Sequence, residues 1–118
     1  MAWLTYHRIE LFLPSNPGFD TERYAVAAAE GWLRERFGGA TSSTKAGPVF
    51  HGYYPSNGRW IDDQIVLIMV DTDEPIERVS EALAILHETL AGLYLAAGRT
   101  QEEFWITVTS INRYVPEG

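Results

Sequence analysis

Hydrophobic and polar residues alternate with period two from Tyr6 to Leu13. Ile9, Leu11 and Leu13 therefore fall on one face of a strand, and Arg8, Glu10 and Phe12 on the other. Pro14 ends the alternation, and Pro14-Ser15-Asn16-Pro17-Gly18 reads as a loop. The period then changes to that of a helix. Asp20 or Thr21 stands where a cap belongs, and Glu22 falls in the first turn, where the dipole favours a negative charge. Val26, Ala29, Leu33 and Phe37 form an apolar stripe widened by Ala25, Ala28 and Trp32, and Gly38-Gly39 stops the helix.

Val49 to Tyr54 is apolar and aromatic, and Gln64 to Val70 is dense in branched aliphatics. Pro55-Ser56-Asn57-Gly58 between them predicts a hairpin with a turn longer than two residues. Ile65 to Val70 is apolar on both sides, which places that strand inside a sheet. Asp71-Thr72-Asp73-Glu74-Pro75 opens a second helix, with acidic residues read as caps at its positive end. Its core stripe is Val79, Leu83, Leu86, Leu90, Leu93 and Ala97, with Ala82 and Tyr94 beside it, and Gly98 closes it. Gly92 marks a place for a bend. From Phe104 to Ile111 the period returns to two, setting Phe104, Ile106 and Val108 against Trp105, Thr107 and Thr109.

Strand–helix–strand–strand–helix–strand is the order of a ferredoxin-like βαββαβ sandwich, an α+β fold. Right-handed crossovers put both helices on one face of a four-stranded antiparallel sheet ordered 4-1-3-2. The other face is then bare, and it carries Arg8, Glu10, Phe12, Trp105, Thr107 and Thr109. At 118 residues, one α+β domain over 1–118 is expected. The formal charge of −7 argues against nucleic acid and against anionic membrane surfaces as partners. With no cysteine, thiolate chemistry and Cys-based zinc sites are excluded. No signal-like segment or membrane-length apolar run is read, so a cytoplasmic protein is expected.

No catalytic signature emerges. His51, flanked by aromatics, is the best candidate general base, with Glu10 as the other acid–base candidate. The candidate ligand-binding set is Arg8, Glu10, His51, Tyr53, Arg59, Trp60 and Trp105, although packing is the favoured role of Trp60. Neither Asp62-Asp63 nor the Asp71–Glu74 segment supplies enough converging oxygens for a hard cation, so no metal and no cofactor are assigned. Asp62-Asp63 reads instead as the solvated end of the hairpin. Gly38-Gly39-Ala40-Thr41-Ser42-Ser43-Thr44-Lys45 has the amides and hydroxyls of an anion cradle, but a helix cap followed by a loop is the simpler account.

Phe37-Gly38-Gly39-Ala40-Thr41 after an amphipathic helix, then Gly58-Arg59-Trp60 and an aliphatic strand ending in Asp71, resembles small bacterial proteins of unassigned function with a ferredoxin-like or dimeric α+β barrel fold. The resemblance implies a dimer and a small-ligand pocket, and it carries no catalytic residue across. Three functions follow. The first is a homodimer packed through the bare sheet face, with Arg8 and Glu10 paired across strands or subunits. The second is a small-molecule enzyme or sensor using the candidate residues, and the third is an acidic protein-interaction module.

Overall fold

In the computed structural model, the described residues are 2–43, 50–56, 58–100 and 103–116. They form β1 (Ala2–Pro14), α1 (Asp20–Phe37), β2 (Thr41–Ser42), β3 (Phe50–Ser56), β4 (Arg59–Thr72), α2 (Ile76–Ala96) and β5 (Trp105–Val115). β1 lies between β5 and β4, antiparallel to both, in the order β2-β4-β1-β5. Ile65 of β4 faces Pro14 on one side and Phe50 on the other, so β3 lies along the same edge of β4 as β2. This is the expected ferredoxin-like arrangement with one change. The expected second strand is two strands laid end to end on a long β4, giving five strands rather than four. Val49 lies outside the described residues.

The alternation of β1 sends Ile9, Leu11 and Leu13 into a core with Val66, Ile68 and Val70 of β4. Ala25, Val26, Ala29 and Leu33 of α1 close it together with Val79, Leu83, Leu86, Leu90 and Tyr94 of α2. Phe104 is buried there too, its ring 5.1 Å from that of Tyr94. Leu93 is only partly buried, because the stripe of α2 turns toward Tyr94. The helix runs through Gly92 without a break.

Two ribbons extend beyond this body. β1 and β5 pair from Ala2↔Val115 inward, whereas β1 meets β4 only from His7 onward. At the other end β3 and β4 continue past Pro14 to Ser56↔Arg59. With Ser56 and Arg59 paired, the hairpin is the short type after all. Gly58, at φ 74°, supplies the positive φ that two-residue hairpin turns require. The ribbons stretch the molecule to 51 Å along its longest axis, against 27 and 24 Å across.

The polar groups that tie the layers together are not those the sequence suggested. Glu22 and Asp63 are both buried, with 0% and 1% of their surface exposed. Arg99 lies between them. Its Nε donates to Glu22 Oε2 at 3.0 Å, and its two Nη groups hold both Asp63 oxygens at 2.6 and 2.5 Å. Nη1 also reaches Glu103 at 3.2 Å. Asn16 donates its backbone and side-chain N–H to Glu22 Oε1 at 3.0 Å each, and a second side-chain N–H to Asp63 Oδ1 at 2.9 Å. Its own Oδ1 accepts the Gln64 N–H at 2.9 Å.

Arg99 is aimed into this cluster by the end of α2. Gly98, at φ 80°, donates to Leu95, and the Arg99 N–H returns to the Tyr94 carbonyl at 2.8 Å, a Schellman closure. The Tyr94 hydroxyl donates to the Pro14 carbonyl at 2.9 Å. Burial first, then the charge of Glu22, pushes that hydroxyl's pKa far up, so it stays a donor at any ordinary pH.

Two expectations are thereby corrected. Asp63 is not a solvated hairpin end, because Arg99 and Asn16 neutralise and enclose it. Neither helix is capped by a side chain: the N-cap positions are Phe19 and Pro75, and neither makes a side-chain cap hydrogen bond. Removing Arg99 would leave two buried carboxylates without their counter-charge. Arg99→Ala is therefore expected to destabilise the fold by about 3–5 kcal/mol in urea unfolding. Tyr94→Phe, which loses one hydrogen bond and keeps the ring, is expected to cost about 1 kcal/mol in the same measurement.

Candidate functional site

The face of the sheet away from the helices is built by the residues that alternate with the core. The register sets Phe12 beside Trp105 and Leu67, Glu10 beside Thr107 and Met69, and Arg8 beside Thr109 and Asp71. Phe12 stacks on Trp105 with centroids 5.7 Å apart and planes 22° from parallel. On its other side Phe12 meets Phe50 at 6.3 Å. The result is an aromatic row across three strands, with Leu67 and Met69 half-buried beside it. Its ends stand well out in solvent, Trp105 at 41% and Phe50 at 44% exposure. Exposed aromatic surface is thus gathered on the side of the sheet away from the helices.

The charged end of this face is organised by Asp71. Arg8 donates Nε and Nη2 to its two oxygens at 2.9 and 3.1 Å, a bidentate pair. Arg113 of β5 approaches the same carboxylate at 3.7 Å while lying over the Tyr6 ring. The hydrogen bonds to Asp71 hold the Arg8 guanidinium above its ordinary pKa, and the charge of Glu10 adds to this. The partner of Arg8 is thus Asp71 on the neighbouring strand, not Glu10. Glu10 is half-buried and has no hydrogen-bond or ion-pair partner among the described residues. A cleft of about 220 Å³ opens beside Asp71 and Arg113, lined by Ala40, Thr41, Met69 and Val70.

The seven ligand-binding candidates fall into two groups. Arg8, Glu10 and Trp105 share the open face. His51, Tyr53, Arg59 and Trp60 lie on the β3–β4 ribbon, where His51, Tyr53 and Trp60 share one side and Arg59 lies on the other. Trp60 and Asp71 are separated along β4 by roughly 36 Å at about 3.3 Å per residue. His51, the candidate base, is exposed: its Nδ1 lies 3.1 Å from Asp62 Oδ1 and its ring stacks near Tyr53. Trp60 is 76% exposed, so the packing role favoured for it from sequence is not filled within the chain.

The glycine- and hydroxyl-rich stretch after α1 turns out to be partly strand. Gly38 takes the left-handed cap conformation, and Thr41-Ser42 then pair with Met69 and Ile68. The Ser43 N–H donates to the Leu67 carbonyl, while its hydroxyl accepts the Leu67 N–H. Those backbone groups are committed to the sheet rather than free to cradle an anion. Thr44 and Lys45 lie outside the described residues. No group of three or more His, Asp or Glu that could hold a metal ion occurs among the described residues. Among the described residues, no helix is long and apolar enough to cross a membrane.

No protein-family model matches this sequence, and no curated protein matches it. Among solved structures, it is similar to a divalent cation tolerance protein (Cut A1) from Thermus thermophilus. That match has 16% identity and a TM-score of 0.48, covering 96% of this chain and 86% of the other. It is also similar to a de novo designed protein with a ferredoxin fold, solved by solution NMR. There the identity is 13% and the TM-score 0.35, covering 95% of this chain and 87% of the design. Scores this low say nothing about function. The class is set by the chain's own strand order: it is a small ferredoxin-like α+β protein.

The segment read as acidic caps acts through ion pairs, Asp71 on the open face and Glu74 on the helix side. Glu74 is gripped by Arg36 at 2.7 and 2.8 Å, and its carbonyl accepts a hydrogen bond from His7 Nδ1 at 2.9 Å. The Arg36 hydrogen bonds hold the Glu74 carboxyl below its ordinary pKa. With the folded value below the unfolded one, the stability this pair adds is present above about pH 4.3 and fades as pH falls through the lowered value. Glu74→Gln is thus expected to flatten the acid side of a melting-temperature profile, leaving its shape above about pH 5 unchanged.

Proposed function

We propose that this protein works as a homodimer whose two copies pair through their open sheet faces. The observation that carries this reading is the exposed row Trp105–Phe12–Phe50, flanked by Leu67 and Met69 on a face that no described helix covers. Burying apolar surface of this kind gains about 25 cal/mol per Å². Charge favours a second copy as the occupant. Glu10 makes no hydrogen bond or ion pair among the described residues, on the same face where Arg113 reaches Asp71 at 3.7 Å. A two-fold pairing supplies each with groups of the opposite sign, and an isologous interface needs such self-complementarity. The overall charge of −7 disfavours a phosphate-rich or anionic-lipid surface in that role.

A second reading, a small-ligand site, is supported by the cleft of about 220 Å³ beside Asp71 and Arg113. That volume falls below the roughly 300–1,000 Å³ usual for drug-sized ligands, so the occupant would be a small anion held by Arg113. The two readings are compatible. A dimer contact beside the cleft would narrow its mouth.

Sedimentation at micromolar concentration tests the first reading. The protein is expected to run as an oligomer, and Leu67→Lys or Met69→Lys to weaken association at least tenfold while melting as a folded chain. A strict monomer, or variants that sediment like the parent, would refute it. For the second reading, small dicarboxylates and inorganic phosphate are expected to raise the melting temperature of the parent and not of Arg113→Ala. Equal shifts in both would remove Arg113 from the site.

A further inference from the structure

β5 is an edge strand along its whole length. It pairs with β1 from Trp105 to Val115, and no strand lies on its other side among the described residues. Such an edge presents a row of unpaired N–H and C=O groups, and folded proteins normally protect it with proline, charge or a covering element. The opposite edge of the sheet has this protection, since Pro55 in β3 cannot donate. β5 has none. Its sequence Trp105-Ile106-Thr107-Val108-Thr109-Ser110-Ile111-Asn112-Arg113-Tyr114-Val115 contains one charge and no Asp or Glu, in a chain with sixteen acidic residues. Thr107, Thr109, Ser110 and Asn112, pointing to both sides of the sheet, are all exposed, so neither side of the edge is overhung there.

We infer that this edge is a second contact surface, where β5 pairs antiparallel with β5 of another copy about a two-fold axis. The strand is suited to itself. Full-length self-pairing centres on Ser110 and sets Thr109 opposite Ile111, Thr107 opposite Arg113 and Trp105 opposite Val115 of the second copy. No like charges meet, because the one charge faces a threonine. A further observation points the same way. The β1–β5 ribbon from Ala2 to Tyr6 has lost β4, and a two-stranded ribbon is marginal alone. It nonetheless carries Trp3 and Tyr114 in edge-to-face contact at 5.5 Å, exposed by 68% and 47%. Self-pairing of β5 backs that ribbon with the Trp105–Thr109 half of the second copy's β5 and the sheet behind it, and joins the two open faces into one continuous surface.

The inference does not depend on the face-to-face reading, and the two are separable. Ser110 belongs to the helix side of the sheet and is absent from the open face. Ser110→Lys places two ammonium groups across the two-fold while lowering the net negative charge, so any general repulsion between copies falls. In sedimentation of the full chain, Ser110→Lys is expected to weaken association at least tenfold, and Ser110→Thr to leave it unchanged. Leu67→Lys, which alters only the open face, is expected to retain the edge-paired dimer. Ser110→Lys sedimenting like the parent would overturn the edge contact, even if Leu67→Lys dissociates. If Leu67→Lys behaves as the parent while Ser110→Lys dissociates, the face reading fails and the edge contact holds. Hydrogen exchange of the unaltered protein gives a test that needs no variant. β5 amides beyond those bonded to β1 should gain protection as concentration rises, and concentration-independent exchange along all of β5 would overturn the inference.

Discussion

One guanidinium holds three parts of this fold together. Arg99, turned back from the end of α2, binds Glu22 in the first turn of α1 and Asp63 in β4. Asn16, in the loop leaving β1, completes the enclosure. A buried ion pair is poor evidence of net stabilisation, because desolvating the charges offsets most of their attraction. Its consequence here is geometric. Two carboxylates with almost no exposed surface are tolerable only with Arg99 and Asn16 in place, so the end of α2, the start of α1 and the root of the β3–β4 ribbon cannot separate independently. The Tyr94 hydroxyl on the Pro14 carbonyl pins the same corner from the apolar side.

With one corner locked and both helices on one side, the sheet keeps a free face and a free edge. The Phe12 row and the β5 strand are consequences of that economy. Among the described residues, the two helices cover one face of the sheet and leave the other uncovered. The Asp71 pairs with Arg8 and Arg113 keep the polar end of the face ordered, whereas Glu10 makes no hydrogen bond or ion pair among the described residues. The chain thus presents an apolar centre, a fixed charge pattern beside it and an unguarded strand at the margin.

Much of this was legible in the sequence, for local reasons. Period-two alternation in Tyr6–Leu13 and Phe104–Ile111 assigned the core and open faces residue by residue, and the stripes of both helices pointed to the core that forms. The corner lock was not legible. Arg99 and Glu22 lie 77 residues apart and Arg99 and Asp63 lie 36 apart, with no periodicity linking them. Glu22 looked like a dipole residue and Asp63 like a hairpin end, since either reading satisfies local rules. The one local clue was Gly98 followed by Arg99, which says where a helix ends and not what the arginine reaches. Trp60 was misread for the opposite reason. A large aromatic usually packs, but β4 carries it beyond the body onto a ribbon that no helix covers.

The corner lock is most directly tested by native-state hydrogen exchange of three amides. Asn16 donates its N–H to Glu22, Gln64 to Asn16 and Arg99 to Tyr94. If Arg99 binds these segments into one unit, all three exchange only through global unfolding, with the same free energy as the amides of Ile9 and Ile68 in the core. Exchange at the three sites that is orders of magnitude faster than in the core, with the core still protected, would mean that the corner opens by itself and that the fold does not depend on it.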